Sequence, residues 1–342
     1  MIGFGTALRF VFIHLFCLFY TAKVLLHIAV RYLTEPRAEF WYVKKRPHPP
    51  PCLQNHDYGV SNYITVNDVK LHYVENGDPA KPLMLFIHGF PEFWFSWRYQ
   101  LKEFSKDYWV IAVDMRGYGD SDKPKGLKSY RIENMVQDIK ELVHELGREK
   151  FTLVAHDWGA VIGWDFVAKH MDMLEKYILM GAPSRKVLRE LMMTDKEQLK
   201  MSWYTFFFQM PCIPEIYFRI NDLEALYEVF RKHNEPHELE AYKYTFARKG
   251  ALTEPINYYR ANLTASLKTV RPPANVRHVP GLYLLGEHDA YISQKSGPLQ
   301  KKEFNNLEFL MVPKVCHFLQ QADPVAVNSI MRQFLIHSEH NE

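Results

Sequence analysis

The stretch Phe151-Thr152-Leu153-Val154-Ala155-His156-Asp157-Trp158-Gly159-Ala160 constrains this chain more than any other. It begins as a short apolar run with β-branched residues, the pattern of a strand buried on both faces of a parallel sheet. It ends in small–x–Asp–x–small, from Ala155 to Gly159, and a helical pattern follows with Val161, Trp164, Phe166 and Val167 on its apolar side. Strand, sharp turn and helix with a reactive residue at the tip is the context of a nucleophile elbow, in which small neighbours let the two backbones approach. The usual residue at the tip is Ser; here it is Asp157. Two readings of Asp157 follow: a nucleophile, or an N-cap for the helix, a position Asp favours.

The pattern around this stretch indicates an α/β fold. Tyr63–Val66 and Leu71–Val74 read as a hairpin turning at Asn67-Asp68. Leu83–Ile87, Trp109–Val113, Tyr177–Met180, Leu282–Gly286 and Leu307–Val312 read as further strands. A helix with Trp97, Leu101 and Phe104 follows the first of these, and an amphipathic helix is expected over 132–146. Strand–helix alternation predicts a mostly parallel eight-stranded sheet with helices on both faces. From about Ser184 to Pro273 the alternation stops and the chain turns helical and aromatic-rich, as an inserted helical cap does. The 342 residues suffice for one large α/β domain with such an insertion, and 47% hydrophobic residues can fill its core. A net charge of only +3 gives no reason to expect nucleic acid. The four cysteines are widely spaced, without the C-x-x-C of a zinc site or a disulfide framework, and fit a reducing compartment. Gly117-Tyr118-Gly119 lacks the third glycine of a dinucleotide fingerprint and reads as a loop. His233 and His237 flank Pro236, which is expected to spoil a helix, so they read as solvated residues and no metal site is expected.

The amino-terminal segment departs from a soluble protein. Phe10 to Val30 is almost entirely apolar, and roughly 20 residues span a bilayer. An uncleaved single-pass anchor over 1–32 is the leading expectation. A cleaved signal peptide lacks an A-x-A site after the run; a membrane-surface amphipathic helix is a third reading. Arg31, Arg37, Lys44, Lys45 and Arg46 follow the run, so the positive-inside rule places the bulk of the chain in the cytosol, with the endoplasmic reticulum membrane as the expected location. The Pro-rich stretch within 33–57 reads as a stiff spacer between the anchor and the first folded element. One glycosylation sequon, Asn262-Leu263-Thr264, matters only if the domain is lumenal.

Asp289 follows one strand and His317 follows the last. With Asp157 they would lie beyond the carboxyl ends of the strands, where open α/β sheets bind ligands, in the chain order nucleophile, acid, histidine of α/β hydrolases. A carboxylate nucleophile attacks an sp³ carbon without needing a base and becomes an ester. His317, oriented by Asp289, would then activate water against that ester. The oxyanion arises on Asp157 and needs backbone N–H donors; Trp158, just after it, and Phe90, after the third strand, are the candidates. His88 reads as a structural hydrogen-bonding residue. An alkoxide leaving group would also need a proton, which cap tyrosines can supply.

His88-Gly89-Phe90-Pro91-Glu92-Phe93-Trp94, Ser96-Trp97-Arg98-Tyr99-Gln100, Asp114-Met115-Arg116-Gly117-Tyr118-Gly119 and His156-Asp157-Trp158-Gly159 together make the chain resemble the α/β-hydrolase-fold epoxide hydrolases, most of all the membrane-anchored epoxide hydrolase 4 group. The resemblance runs from about Tyr58 to the C-terminus. It implies conversion of apolar, lipid-like epoxides to vicinal diols, with water as co-substrate and no cofactor. It implies two cap tyrosines that hold the epoxide oxygen, matched here by Tyr204 and Tyr259 rather than Tyr258, and a cis bond before Pro91. Phe208 and Phe318 are expected at the pocket; Phe318 stands where the family often has Trp, and Ala160 replaces a commoner glycine. The implied organisation is hydrolase core over 58–183 and 276–342, with the cap at 184–275. A haloalkane dehalogenase shares the acid–histidine machinery but needs halide donors, and Phe90 has no side-chain donor. A serine esterase lacks its G-x-S-x-G. A catalytically silent membrane scaffold is the alternative of a different class.

Overall fold

The computed structural model describes residues 4–34, 39–263, 279–304 and 306–337. The expected end of the cap at residue 275, Thr264 of the sequon and residues 35–38 of the linker lie outside them. The hairpin β1 (Val60–Val66) and β2 (Val69–Asn76) turns at Asn67 and Asp68, with φ of 49° and 58°. Positive φ at both turn residues matches the right-handed twist of the strands. The remaining strands are β3 (Leu83–Ile87), β4 (Trp109–Val113), β5 (Phe151–His156), β6 (Leu174–Met180), β7 (Gly281–Gly286) and β8 (Leu307–Val312). They form one eight-stranded sheet in the order β1-β2-β4-β3-β5-β6-β7-β8. β2 meets β1 and β4 antiparallel; every other pairing is parallel. The core strands β3, β4, β5 and β7 are buried along their whole length, which is why they read as unbroken apolar runs. The chain winds from β3 to β4 on one side and then to β5 on the other. The loops after β3 and β5 therefore diverge, opening a crevice at the switch point.

The helices of the described residues are α1 (Phe4–Thr34), α2 (Arg98–Phe104), α3 (Ile132–Glu145), α4 (Trp158–His170), α5 (Arg185–Thr194), α6 (Lys196–Met201), α7 (Trp203–Phe207), α8 (Ile213–Phe230), α9 (Pro236–Ala247), α10 (Thr253–Asn262), α11 (Ser296–Glu303), α12 (Leu319–Ala322) and α13 (Pro324–His337). α5 to α10 lie between β6 and β7, with no strand among the described residues there. Arg98 of α2, fully buried, ties this helical layer to the sheet layer. Its guanidinium donates to Glu238 at 2.7 and 3.1 Å, to Asn234 at 2.9 Å, and to the Phe95 carbonyl at 3.1 Å.

Three sequence expectations are corrected here. Pro236 starts α9 instead of breaking a helix: it occupies the first turn, where its missing N–H costs nothing, and Glu235 and Glu238 form a capping box. His233 is not simply solvated, because its Nε2 lies 3.1 Å from Cys316 Sγ beside the buried Asn234, whereas His237 is exposed. The stretch before β1 is not a detached spacer. α8 is broken from Ile220 to Leu223, and Asn221 and Asp222 donate their freed N–H groups to the carbonyls of Phe40 and Tyr42 at 2.9 and 3.2 Å. Arg46 clasps Asp222 from the same stretch, and Phe40 is buried.

α1 also lies against the cap. Cys17, Thr21, Val24 and Ile28 form its buried stripe. Phe16 packs on Phe206 at 5.3 Å, Tyr20 faces Trp203 at 6.0 Å, and Arg31 pairs with Glu224 at 2.8 Å. Asn262 of the sequon is buried too, with its amide bonded to the carbonyls of Tyr130 and Tyr258.

Candidate active site

Asp157 sits between β5 and α4 with φ 50° and ψ −117°, a conformation that side chains other than glycine rarely adopt. Its N–H is held by the Met180 carbonyl at 3.0 Å, and its carbonyl accepts from Val161 at 2.9 Å, starting α4. The side chain makes no capping bond to the helix; the strained turn projects it away from the backbone it would cap. A Cβ on Gly159 would strike the Ile87 carbonyl oxygen, so the elbow can lie against β3 only with glycine there.

The two carboxylate oxygens of Asp157 have different surroundings. Oδ1 accepts the Phe90 N–H at 2.8 Å, while Oδ2 lies 3.5 Å from His317 Nε2. His317 Nδ1 is 2.8 Å from Asp289 Oδ2, and Asp289 Oδ1 accepts the N–H groups of Tyr291 and Ile292 at 2.8 and 2.9 Å. The acid is thus fixed from behind, and the histidine ring is aimed at Asp157. Phe90 and Pro91 are joined by a cis peptide bond. Trp158 opens α4, so its N–H is among the donors a helix leaves without an internal partner.

Charge follows this geometry. Burial pushes the Asp157 carboxyl up, but the His317 hydrogen bond and charge and the Phe90 N–H outweigh it, and the group is held below the usual carboxylate range. Burial pushes His317 down, but the charges of Asp289 and Asp157 outweigh that and hold it well above its ordinary value. Tyr204 and Tyr259 are raised well above 10 by burial and then by the Asp157 charge, so both are phenols able to donate a proton. Their rings are 5.8 Å apart, edge to face. With Asp157, His317, Phe90, Phe208 and Phe318 they line a cavity of about 150 Å³. Tyr258 is otherwise engaged, donating to the Arg116 carbonyl at 2.8 Å. His88 is buried, with Nε2 accepting the Met115 N–H at 3.2 Å and Nδ1 facing the Gly89 carbonyl. Among the described residues no cluster of His, Cys, Asp and Glu could hold a metal ion.

The structure adds residues that sequence patterns did not single out for the site. Tyr291 stacks edge-on to His317 at 4.8 Å and to Tyr204 at 5.5 Å; only its place two residues after Asp289 could have pointed to it. His156 and Glu92 form a buried pair behind Asp157. His156 Nδ1 lies 2.7 Å from Glu92 Oε2, and its Nε2 donates to the His317 carbonyl at 2.9 Å. Glu92 also accepts from the Gly89 N–H, Gln320 and Gln321. This pair joins the loop after β3, the elbow and the loop after β8, the three segments that carry Phe90, Asp157 and His317.

Two larger cavities adjoin the small one. One of about 650 Å³ runs from Asp157, Tyr204 and Tyr259 past Leu188 and Met192 to Phe12 and Ile13 of α1. The other, about 570 Å³, reaches His317 and is lined by polar groups including His27, Arg31, Glu228 and Lys232.

The family model for the alpha/beta hydrolase fold matches residues 82–211. Epoxide hydrolase 3 of Xenopus tropicalis is 37% identical over 349 residues, covering 96% of this chain and 94% of that one. Epoxide hydrolase 4 of Homo sapiens is 38% identical over 303 residues, covering 85% and 83%. The chain belongs to the epoxide hydrolases of the α/β-hydrolase fold. A solved neighbour of this epoxide hydrolase, the Bacillus megaterium epoxide hydrolase in complex with an inhibitor, has a TM-score of 0.73 at 31% identity, covering 80% of this chain and 99% of that one. A mutant of the same bacterial enzyme is known complexed with its product, (R)-3-[1]naphthyloxy-propane-1,2-diol.

Proposed function

We propose that this epoxide hydrolase opens apolar, lipid-like epoxides through a covalent ester on Asp157, hydrolysed by water that His317 activates. Asp157 Oδ2 is the nucleophile. Among the described residues no backbone N–H donates to it, and it faces the cavity beside His317, whereas Oδ1 accepts the Phe90 N–H. Oδ2 forms the new C–O bond as the ring C–O bond breaks. Tyr204 and Tyr259, on the far side of the cavity, hydrogen-bond the leaving oxygen, and one of them delivers its proton. Esterification removes the Asp157 charge, one of the two charges that hold His317 protonated. His317 then gives up its proton, restoring the tyrosine through solvent, and takes one from a water that attacks Cγ of the ester. The negative charge of the tetrahedral intermediate falls on Oδ1, against the Phe90 and Trp158 N–H groups. Its collapse breaks the bond between Cγ and the alkyl oxygen, which takes a proton from His317 to complete the vicinal diol; the Asp157 carboxylic acid then returns a proton to His317 and the carboxylate is regenerated. The diol bound as product by the bacterial neighbour has the same vicinal pattern.

The observation that carries this reading is the unequal environment of the two Asp157 oxygens under a pair of protonated tyrosines. The apolar side chains of the adjoining cavity, among them Phe12, Ile13, Leu188, Met192 and Phe206, support apolar substrates. A core of residues 58–183 and 276–342 supplies Asp157, Asp289 and His317, and the cap at 184–275 supplies the tyrosines. α1, long and apolar enough to cross a membrane by length and composition, supports membrane attachment; the basic residues after it favour a cytosolic domain at the endoplasmic reticulum. Single turnover in ¹⁸O-water decides the mechanism. Label is expected in the Asp157 carboxylate, and turnover that leaves Asp157 unlabelled rules out the ester.

A further inference from the structure

α1 has two opposite faces with different partners. Its stripe of Cys17, Thr21, Val24 and Ile28 is buried on the cap. The stripe on the other side, including Val11, Leu15, Leu18, Leu25 and Leu33, is exposed, each residue 47–77% accessible. Spacings of three, four, seven and eight residues put these on one face, and the charge nearest to it is Lys23, exposed at its edge over the Phe19 ring. Such a long apolar face is far beyond the isolated exposed side chains normal for a water-facing surface.

The cap contacts decide how a membrane can cover that face. They run from Phe16 on Phe206 to Arg31 on Glu224, fifteen residues, or roughly 22 Å at 1.5 Å per residue. A hydrocarbon core is roughly 30 Å thick. A spanning α1 would therefore carry α7 and α8 into the lipid beside it. With them would go Glu224, Glu228 and Lys232, which line the polar cavity together with His27 and Arg31 of α1. Charges within hydrocarbon are costly. A helix lying in the plane of the interface avoids this: the lipid takes its apolar face, and the cap takes the face that an ordinary interfacial helix exposes to water. The linker favours the same arrangement. Main-chain bonds from Asn221 and Asp222 to Phe40 and Tyr42 keep the chain on the cap directly after α1, and exposed Trp41 and Tyr42 suit the headgroup level.

We propose that α1 is an in-plane anchor held between the cap and one phospholipid leaflet, and that the cavity of about 650 Å³ beside it admits substrate from that leaflet. Phe12 and Ile13 line this cavity opposite Leu188, Met192 and Met193, and Phe12 and Met193 are exposed at its rim. The other cavity reaches His317 from the charged side of α1 and provides a route for water. The inference depends on membrane attachment through α1 but not on the ester mechanism, so the two fail separately.

Topology provides the test. The full chain, with one glycosylation acceptor ahead of Met1 and a second inserted in the exposed loop 125–127, is translated with microsomes. An in-plane α1 leaves both acceptors on one side: both are modified, or neither is and both are open to added protease. One modified and one unmodified acceptor overturns the inference, as does recovery of the chain in the soluble fraction. For the cavity, Leu15→Glu with Leu18→Glu alters only the lipid-facing stripe. The variant should leave the membrane fraction and keep kcat/KM toward a water-soluble short epoxide within about twofold. It should lose about tenfold or more toward a long-chain epoxide presented in phosphatidylcholine vesicles, given the cost of placing charge in lipid. Unchanged activity on the vesicle-borne epoxide overturns entry from the leaflet.

Discussion

At the scale of single residues, Asp157 is kept as a carboxylate while every nearby donor is kept protonated. The two tyrosines owe this to burial and to Asp157 itself. Replacing both by Phe should slow ring opening by about 10²–10⁴-fold, the usual contribution of a positioned acid, with little change in thermal unfolding because each ring keeps its packing. Burst-phase kinetics checks this. The pH dependence should differ between the half-reactions. Asp157 lies below the ordinary carboxylate range and the tyrosines well above 10, so alkylation should be flat from about pH 5 to 9. Hydrolysis requires neutral His317. Its raised value means that neutral base becomes more plentiful as pH rises, and loss of the Asp157 charge in the ester brings that value down. The ester's decay should accordingly accelerate with pH while its formation does not; rapid-quench measurements separate the two. A hydrolysis rate that fell with rising pH would contradict His317 as the base.

At the scale of elements, the site depends on four loops at the carboxyl ends of β3, β5, β7 and β8, and on how the cap is held above them. Arg98 is the main polar tie between the layers, buried with Glu238, Asn234 and the Phe95 carbonyl. Replacing one partner of a buried pair leaves the other charge without compensation, at a cost of about 3–5 kcal/mol. Arg98→Met should lower the urea midpoint accordingly. The double change Arg98→Met with Glu238→Leu should recover only part of the loss: no stranded charge remains, but the Glu238 bond that caps α9 is gone. Whether the cap loosens with it is read from the accessibility of Cys316 to a thiol reagent, since that cysteine lies beside His233 under the cap.

At the scale of the whole molecule, the chain combines a hydrolase core and cap with an apolar helix that shares only one stripe, through Val24 and Ile28, with the hydrophobic core. A net charge of +3 is too small to hold a protein of this size on a membrane electrostatically. Attachment through the apolar face of α1 should survive a wash in about 1 M salt, where screening reduces the Debye length to about 3 Å, and should end in detergent. Fractionation followed by immunoblotting tests this; release by salt alone would assign the attachment to charge.

The local sequence determined a great deal by itself. The apolar runs marked β3, β4, β5 and β7, because a strand covered on both faces admits few polar side chains; Thr152 and His156 of β5 are the buried polar ones. Asn67-Asp68 fixed the hairpin turn, and the elbow's small residues marked the one place where strand and helix must touch. The order of Asp157, Asp289 and His317 and the cap tyrosines could be read as patterns at strand ends or matched to a family. Other features depended on partners far away in sequence, and no local pattern announces those. Glu92 and His156 are 64 residues apart, yet their bond joins the loops beneath the site. Pro236 opened a helix because Glu235 could cap it and Arg98 could hold the helix in place. α1 read as a spanning segment because apolar length alone cannot distinguish a face covered by lipid from one covered by protein. Only the tertiary structure shows that the cap covers one stripe of it, since burial is a property of what lies opposite.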